Sequence, residues 1–222
     1  MEEKAKTALL SCPLFDKIEG EELEAIMEDI PYKTIEFSKG DIITVAGMPC
    51  RYADIVIRGS LICSMAALSG KQIEVSRLSS GDIIAPAYLF SDNHAIPVSV
   101  KADSKTELLR ISKESLKIIS ERHLQIGLNF IRLLSNINVF LTGKIRVLSL
   151  YTVREKVAYL LRKIAKEQGS HLIHLDRSRQ EIAQSFGIQK FSLLRVLSNF
   201  EQEGAIKIDG KDIQILDLRL IK

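Results

Sequence analysis

The chain has 222 residues, of which 46% are hydrophobic and 27% are charged, and its formal net charge is +3. This composition excludes a disordered chain, and the length suffices for one large or two modest domains. No apolar run reaches about 18 residues and the charged start MEEKAKTALL lacks a signal-peptide core, so a cytoplasmic protein with no membrane partner is expected. The three cysteines are few and widely spaced, which predicts neither a disulfide framework nor a cysteine metal site.

The basic charge is concentrated toward the carboxyl terminus. Residues 150–222 contain 13 lysines and arginines against nine acidic residues, a net charge of +4, whereas residues 1–149 contain 18 against 19, a net charge of −1. This asymmetry is typical of a phosphate-binding module joined to a neutral sensor or scaffold.

Short helices are predicted over residues 7–29, and from Pro31 the pattern changes to short segments rich in Ile and Val. Glycines punctuate these segments at spacings of 7, 12, 11 and 11 residues, namely Gly40, Gly47, Gly59, Gly70 and Gly81. Such spacing is typical of short antiparallel strands that close into a sandwich or barrel.

Ser112 is positioned to cap a short helix, and a much longer helix is predicted over residues 123–149. Its apolar positions recur in steps of three and four, and they form a seam of Leu124, Ile131, Leu134, Asn138, Leu141, Ile145 and Leu148, with Gly127 between the first two. A seam sustained over more than three heptads predicts a coiled-coil dimer, and the polar Asn138 suits a residue that fixes its register. A long helix buried in a monomer is the alternative.

Residues 150–168 form an amphipathic helix that ends at Gly169, and HLIHL is a short predicted strand. The next stretch, residues 178–203, opens with Ser178 and Glu181 in the spacing of a capping box. Gly187 supplies a tight turn before a second helix, whose inward face is predicted to contain Leu193, Leu194, Val196, Leu197 and Phe200. Two such helices predict a helix-turn-helix unit, and a hairpin buried in another kind of domain is the alternative.

The outer surface of this predicted unit is basic and polar. Its candidate DNA-binding residues are Ser178, Arg179, Gln180, Gln189, Lys190, Phe191, Ser192 and Arg195. Arg195 is suited to bind guanine O6 and N7, and Phe191 either contacts a thymine methyl or packs under the following hairpin. That hairpin, AIKIDGKDIQILD, is predicted to turn at Asp209 and Gly210 and to form the wing of a winged helix.

Two segments, GDIIAPAYLF and SRQEIAQSFGIQKFSLLRVLSNFEQEGAI, resemble the phosphate cassette and the DNA-binding signature of the Crp/Fnr family of bacterial transcription regulators. The resemblance covers nearly the whole chain and implies an α+β fold. It implies a cyclic-nucleotide-binding-like β-roll sensor over residues 1–122, a dimerisation helix over 123–149 and a winged helix-turn-helix over 150–222. A homodimer that binds a palindromic operator in double-stranded DNA follows from the same resemblance.

The cassette departs from the members that bind cyclic AMP. Where those members place a glutamate, an arginine and a serine, this chain has Pro86, Ile96 and Pro97, and the purine-contacting pair falls on Leu141 and Thr142. Without the arginine an anionic phosphate loses its forked hydrogen bonds, so no response to cyclic AMP is expected. The candidate effector pocket is Pro86, Ala87, Tyr88, Ile96, Pro97, Leu141 and Thr142, and its ligand is an unknown small molecule.

No metal or other cofactor is expected, and the cysteines do not match the iron-sulphur members. Haem is the alternative cofactor, with His94 or His123 as its ligand, although both suit solvent-facing positions. His171 and His174 are expected to point to opposite faces of a strand rather than to share a metal.

These patterns predict a homodimeric transcription regulator that is not an enzyme, since no nucleophile and base, acidic pair or metal cluster occurs at a suitable spacing. RNA polymerase is a candidate partner. The alternatives are a haem-based gas sensor of the same architecture and a signalling adaptor whose winged helix binds a protein.

Overall fold

The computed structural model describes residues 1–66 and 72–222, and the chain divides into two compact units, Met1–Asn138 and Val139–Lys222. Both helices and strands are present, as the predicted α+β class requires. The domain boundaries predicted from the sequence lie near the two ends of one long helix, whereas the two units divide inside that helix.

The first unit begins with α1 (Glu3–Ser11), a 3₁₀ turn (Pro13–Phe15) and α2 (Gly20–Glu28). Seven strands follow: β1 (Tyr32–Phe37), β2 (Ile42–Thr44), β3 (Tyr52–Arg58), β4 (Leu61–Ala66), β5 (Gln72–Leu78), β6 (Ser99–Ala102) and β7 (Thr106–Ser112). After β7 come α3 (Lys113–Arg122) and α4 (Leu124–Leu150), the latter supplying residues to both units. The Ser112 hydroxyl accepts a hydrogen bond from the Ser115 N–H at 3.0 Å, which confirms the predicted cap of α3.

All strand pairs of the first unit are antiparallel, and they form two sheets with the orders β1-β7-β3 and β2-β6-β4-β5. Gly40, Gly47, Gly59 and Gly81 have positive φ at the turns, while Gly70 lies outside the described residues.

Side chains alternate along β3 and β7, so each of these strands contributes to two cores. Val56 and Leu108 pack with Leu61 and Val100 of the other sheet, which fills the space between the sheets. The intervening residues point the other way and pack with the helices, in a core that contains Ile55, Ile57, Leu109, Ile111, Leu9, Leu23 and Ile126. The continuous apolar run in β3 therefore reflects burial on both faces.

The second unit contains α5 (Val153–Gln168), β8 (Leu172–His174), α6 (Arg179–Ser185), α7 (Lys190–Gln202), β9 (Ile206–Asp209) and β10 (Asp212–Ile215). Its sheet has the order β8-β10-β9, so β10 lies between the other two strands. Asp209 pairs with Asp212, which places the hairpin turn at Gly210 and Lys211. The predicted turn at Asp209 and Gly210 is thus one residue too early.

Ala85 is a non-glycine residue in the left-handed region, with φ 47° and ψ 45°, immediately before a 3₁₀ turn (Pro86–Tyr88). This conformation costs an L-residue about 1–2 kcal/mol, and a glycine at position 85 would avoid that cost. Glycine has more backbone entropy in the unfolded chain, which takes back about 0.5–1 kcal/mol of the stabilisation. We therefore expect Ala85→Gly to raise the free energy of unfolding by about 0.5 kcal/mol in urea denaturation. The control Ala87→Gly, at an exposed position without positive φ, should lower it, and a loss in both variants would contradict the strain at Ala85.

Candidate nucleic-acid interface and sensor cavity

The turn between α6 and α7 is fixed by local hydrogen bonds. Ser178 and Glu181 form the predicted capping box, in which the Glu181 N–H donates to the Ser178 hydroxyl at 3.2 Å and the Ser178 N–H donates to the Glu181 carboxylate at 2.7 Å. Gly187 has φ 63°, and the Ile188 N–H reaches back to the Ala183 carbonyl at 3.0 Å. These contacts set the direction in which α7 leaves the turn.

The inner face of α7 is buried in the core of the second unit. The buried residues of that face are Leu193, Val196, Leu197 and Phe200, and they pack with Ile182 and Ala183 of α6. Leu194 was predicted to belong to the same face but is 42% exposed, because it lies at the edge of the buried stripe.

The opposite face of α7 is available to a partner. Phe191 is 72% exposed, so within this unit it does not pack under the wing, which was one of its two predicted roles. Gln189, Lys190 and Arg195 are exposed, and Ser192 is half-buried. Ser198 and Asn199 extend the same exposed face by one further helical turn, and the sequence interpretation did not include them as sites.

The start of α6 carries a cluster of cations next to the wing. The Arg179 guanidinium is half-buried and donates to the Gly210 carbonyl at 2.9 Å, while Ser178 and Gln180 are exposed. The charges of Arg177 and Lys211 help to lower the pKa of Glu181, which places both cations near this helix start. Neither was predicted as a site residue, although Arg177 directly precedes Ser178 in the sequence. Lys211 comes near α6 only through the pairing of the wing strands.

Two polar side chains connect the parts of this surface through hydrogen bonds on its inner side. The buried Lys156 ammonium approaches the Phe186 carbonyl at 3.4 Å, at the end of α6. The Glu201 carboxylate accepts a hydrogen bond from the Ile208 N–H at 2.8 Å and so ties α7 to the wing. The helix, the turn and the wing are therefore connected by hydrogen bonds as well as by the core.

A cavity of about 320 Å³ opens in the first unit. Its lining residues are Ile43, Thr44, Met48, Pro49, Cys50, Arg51, Tyr52, Asp54, Ile84, Ile96 and Arg110. Of the predicted pocket residues, Ile96 is in this lining; Pro86, Ala87 and Tyr88 form the 3₁₀ turn, and Pro97 is exposed. Leu141 and Thr142 are exposed residues of α4 in the second unit.

The polar part of the cavity is a cross-strand ion pair. Asp54 and Arg110 are direct partners in the β3–β7 pairing, and the guanidinium donates two hydrogen bonds of 2.7 Å to the carboxylate. These hydrogen bonds raise the pKa of Arg110, and the Tyr52 ring lies 4.6 Å from the guanidinium carbon. Burial raises the pKa of the neighbouring Cys50 thiol, so the thiol is neutral.

The four histidines occupy separate places. His94 is half-buried with Nδ1 3.3 Å from the Tyr88 carbonyl, and His123 is the residue between α3 and α4. His174 contacts Asp212 across the wing sheet at 2.6 Å, and His171 is exposed. Among residues 1–66 and 72–222, no group of three or more His, Cys, Asp or Glu side chains is arranged to hold a metal.

The predicted seam of α4 is largely exposed in the single chain. Leu124 is 74% exposed, Ile131 60%, Leu141 49% and Ile145 63%. Asn138 and Leu148 are also exposed, and Leu134 is half-buried.

Comparison with known proteins gives two family matches. Residues 34–123 match the cyclic nucleotide-binding domain, and residues 155–222 match the Crp-like helix-turn-helix domain. The transcriptional activator protein anr of Pseudomonas aeruginosa is 30% identical over 131 residues, which are 57% of this chain and 54% of that protein. The cAMP-activated global transcriptional regulator CRP of Pasteurella multocida is 25% identical over 168 residues, 74% of this chain and 80% of that one.

The same fold occurs in solved structures. FixK2 from Bradyrhizobium japonicum superposes with a TM-score of 0.63 at 16% sequence identity, and the match covers 86% of this chain and 96% of FixK2.

The capping box of α6 predicts how the stability of the protein depends on pH. Hydrogen bonds from the side chain and then the backbone of Ser178 lower the pKa of Glu181 below its ordinary value of 4.5. A carboxylate with a lowered folded-state pKa contributes stability above its unfolded pKa, and that contribution is lost as the pH falls through the folded pKa. We therefore expect Glu181→Gln to be less stable than the natural chain at neutral pH, with the difference vanishing in acid, as measured by urea denaturation.

The control repeats Glu181→Gln in a Ser178→Ala background, where the hydroxyl partner is gone and the pH-dependent part should shrink. A stability difference that stays constant from neutral pH into acid would contradict this account of the capping box.

Proposed function

Because this chain belongs to the Crp/Fnr family of DNA-binding transcription regulators, we propose that it acts as a homodimer on a palindromic operator without responding to cyclic AMP. The observation that carries the proposal is the division of α7 into a fully buried apolar face and an exposed face with Arg195 at its centre. A helix held in this way can enter a major groove while its turn and wing contact the flanking phosphates.

Direct base recognition is assigned to Arg195 and Phe191. A guanidinium matches the two acceptors of guanine, and an exposed aromatic ring can pack against the methyl group of thymine. The phosphate contacts are assigned to Ser178, Gln180, Gln189, Lys190 and Ser192. Arg179, whose guanidinium already contacts the wing carbonyl of Gly210, both positions the wing and adds positive charge.

The homodimer is supported by the exposed seam of α4. Burying one Leu or Ile side chain contributes about 1.5–3 kcal/mol. Several Leu and Ile side chains of the seam are about half or more exposed in the single chain. A second copy of α4 would cover this stripe, with Asn138 setting the register. Two recognition helices would then address half-sites about one helical turn of DNA apart.

The proposed insensitivity to cyclic AMP rests on the groups at the cassette. Ile96 is 5% exposed, so a buried aliphatic side chain stands where the resemblance assigns a phosphate-binding arginine. Pro86 stands where the resemblance assigns a glutamate that binds the ribose hydroxyl, so no carboxylate is present there to accept that hydrogen bond. Another small molecule is the proposed effector, and it would act by shifting the population between dimer arrangements that fit the operator and arrangements that do not.

The remaining assignments follow the family. Relatives named as transcription regulators support a protein that is not an enzyme and a cytoplasmic location. RNA polymerase is the proposed protein partner. Helix α4 is long and apolar enough to cross a membrane by length and composition, and the proposed dimer accounts for its exposed apolar residues. Neither a haem sensor nor a protein-binding adaptor is favoured by a contact in the described residues, and neither His94 nor His123 lines the cavity.

The first test removes the proposed base contact. Arg195→Ala should weaken operator binding by about 5- to 150-fold, because each bidentate guanine contact discriminates by about 1–3 kcal/mol. The operator is first selected from random duplex DNA at a stated salt concentration, and affinity is then measured by fluorescence anisotropy. Lys166→Ala, an exposed cation on α5, removes the same charge elsewhere and should change operator binding little. Unchanged binding by Arg195→Ala would refute the assignment of α7.

The second test targets the seam. Ile131→Asp should give a folded monomer, because Ile131 is 60% exposed within the single chain and contributes mainly to the proposed dimer. Sedimentation velocity measures the mass, and circular dichroism the fold. Asn136→Asp is the control, since Asn136 is exposed and lies about 140° from Ile131 around the helix. Dimers of equal stability in both variants would rule out this seam.

A further inference from the structure

We propose that the 320 Å³ cavity of the first unit is a binding site for a small aliphatic monocarboxylate, held by Arg110 and Arg51. The site differs from the cassette pocket expected from the sequence, with which it shares Ile96. It goes beyond the proposed function, because binding of the carboxylate can be measured without DNA.

The first reason is the geometry of Arg110. Its Nε and Nη2 atoms donate to Asp54, whereas Nη1 has no hydrogen-bond partner among the residues that the structure describes. The Tyr52 ring lies against the guanidinium. One edge of a fixed, planar donor therefore remains free, and this is the arrangement that binds a carboxylate with little loss of side-chain entropy.

The second reason is the charge of the lining. The lining contains two arginines, the exposed Arg51 and the half-buried Arg110, and one carboxylate, that of Asp54, so its charged residues sum to one excess positive charge. A ligand with a single negative charge neutralises this excess. A neutral ligand would gain nothing from this charge.

The third reason is the apolar wall. Ile43, Met48, Ile84 and Ile96 line the same cavity, and Ile84 and Ile96 are buried. The volume is at the lower end of the range of about 300–1,000 Å³ for small-molecule sites. A short hydrocarbon chain fits this wall, with its carboxylate at the arginines.

The experiment uses the full chain and the probes butyrate, hexanoate and octanoate, each compared with its primary amide by isothermal titration calorimetry. A charge-assisted hydrogen bond contributes about 1.5–3 kcal/mol, so the best carboxylate should bind about ten- to a hundredfold more tightly than its amide. Equal binding of acid and amide, or no saturable binding of any probe up to about 10 mM, would overturn the proposal.

Two variants locate the site. Arg51→Gln should weaken carboxylate binding by up to about fivefold, because Arg51 is exposed, and should leave amide binding unchanged. The double variant Asp54→Asn with Arg110→Gln replaces the ion pair by two neutral amides that can still hydrogen-bond, and it should abolish the preference for the acid. Arg58→Gln, an exposed arginine of β3 outside the lining, is the matched control for lost charge and should bind like the natural chain.

If the double variant does not fold, as judged by thermal unfolding, Arg51→Gln decides alone, and undiminished binding by this variant would overturn the site. Binding of the selected operator, measured in parallel without any carboxylate, reports on the proposed function separately. The experiments therefore distinguish a failure of the carboxylate site from a failure of operator binding.

Discussion

The part of helix α4 that belongs to the first unit has two apolar faces, and that unit buries only one of them. On the buried face Ile126 is fully buried, and the Asn129 amide donates to the Leu14 and Asp16 carbonyls at 3.1 and 2.7 Å. These hydrogen bonds fix the rotation of the helix about its axis, because a buried amide that lost them would cost about 1–3 kcal/mol. With that rotation fixed, the seam around Ile131 must face away from the core. The exposure of the seam is thus a consequence of Asn129 and Ile126, and a second protomer is the simplest partner that covers it.

Burial of one apolar face also fixes the orientation of helix α7, but here the face left exposed is mainly polar. It has one apolar face, and burial of Leu193 and Phe200 in the core uses that face completely. The outer face is then mainly polar, with Leu194 at its edge 42% exposed and Phe191 72% exposed. An aromatic side chain that is mostly exposed contributes little to the core of its own unit. Its position one helical turn before Arg195 suits a surface that reads bases through one cation and one apolar contact.

The sequence predicts those parts of the molecule that depend on near neighbours in the chain. The capping box of Ser178, the turn at Gly187 and the periodicity of α7 each involve residues three to five positions apart, and all three are observed. Contacts that depend on strand register were not predictable. The proximity of Lys211 to α6 requires the wing to turn one residue later than expected, and the pairing of Asp54 with Arg110 joins residues 56 positions apart. Gly127 shows the same limit: the sequence indicates only a cost in helix propensity, whereas a Cβ at this residue would lie 3.1 Å from the Ser120 carbonyl oxygen.

The Asp54–Arg110 pair also shows that stability alone does not explain the interior of the β-roll. Along the same faces of β3 and β7, Val56 and Leu108 fill the space between the sheets, and an aliphatic pair one layer further would continue that core. Replacing a buried ion pair by apolar residues is often neutral or stabilising, by about 1–4 kcal/mol. An ion pair at this position gains little for folding, but it holds a guanidinium rigidly at the end of an apolar layer. Such a layer offers apolar side chains to the hydrocarbon part of an amphipathic anion and a fixed cation to its charged group. This complementarity distinguishes the cavity from a packing defect.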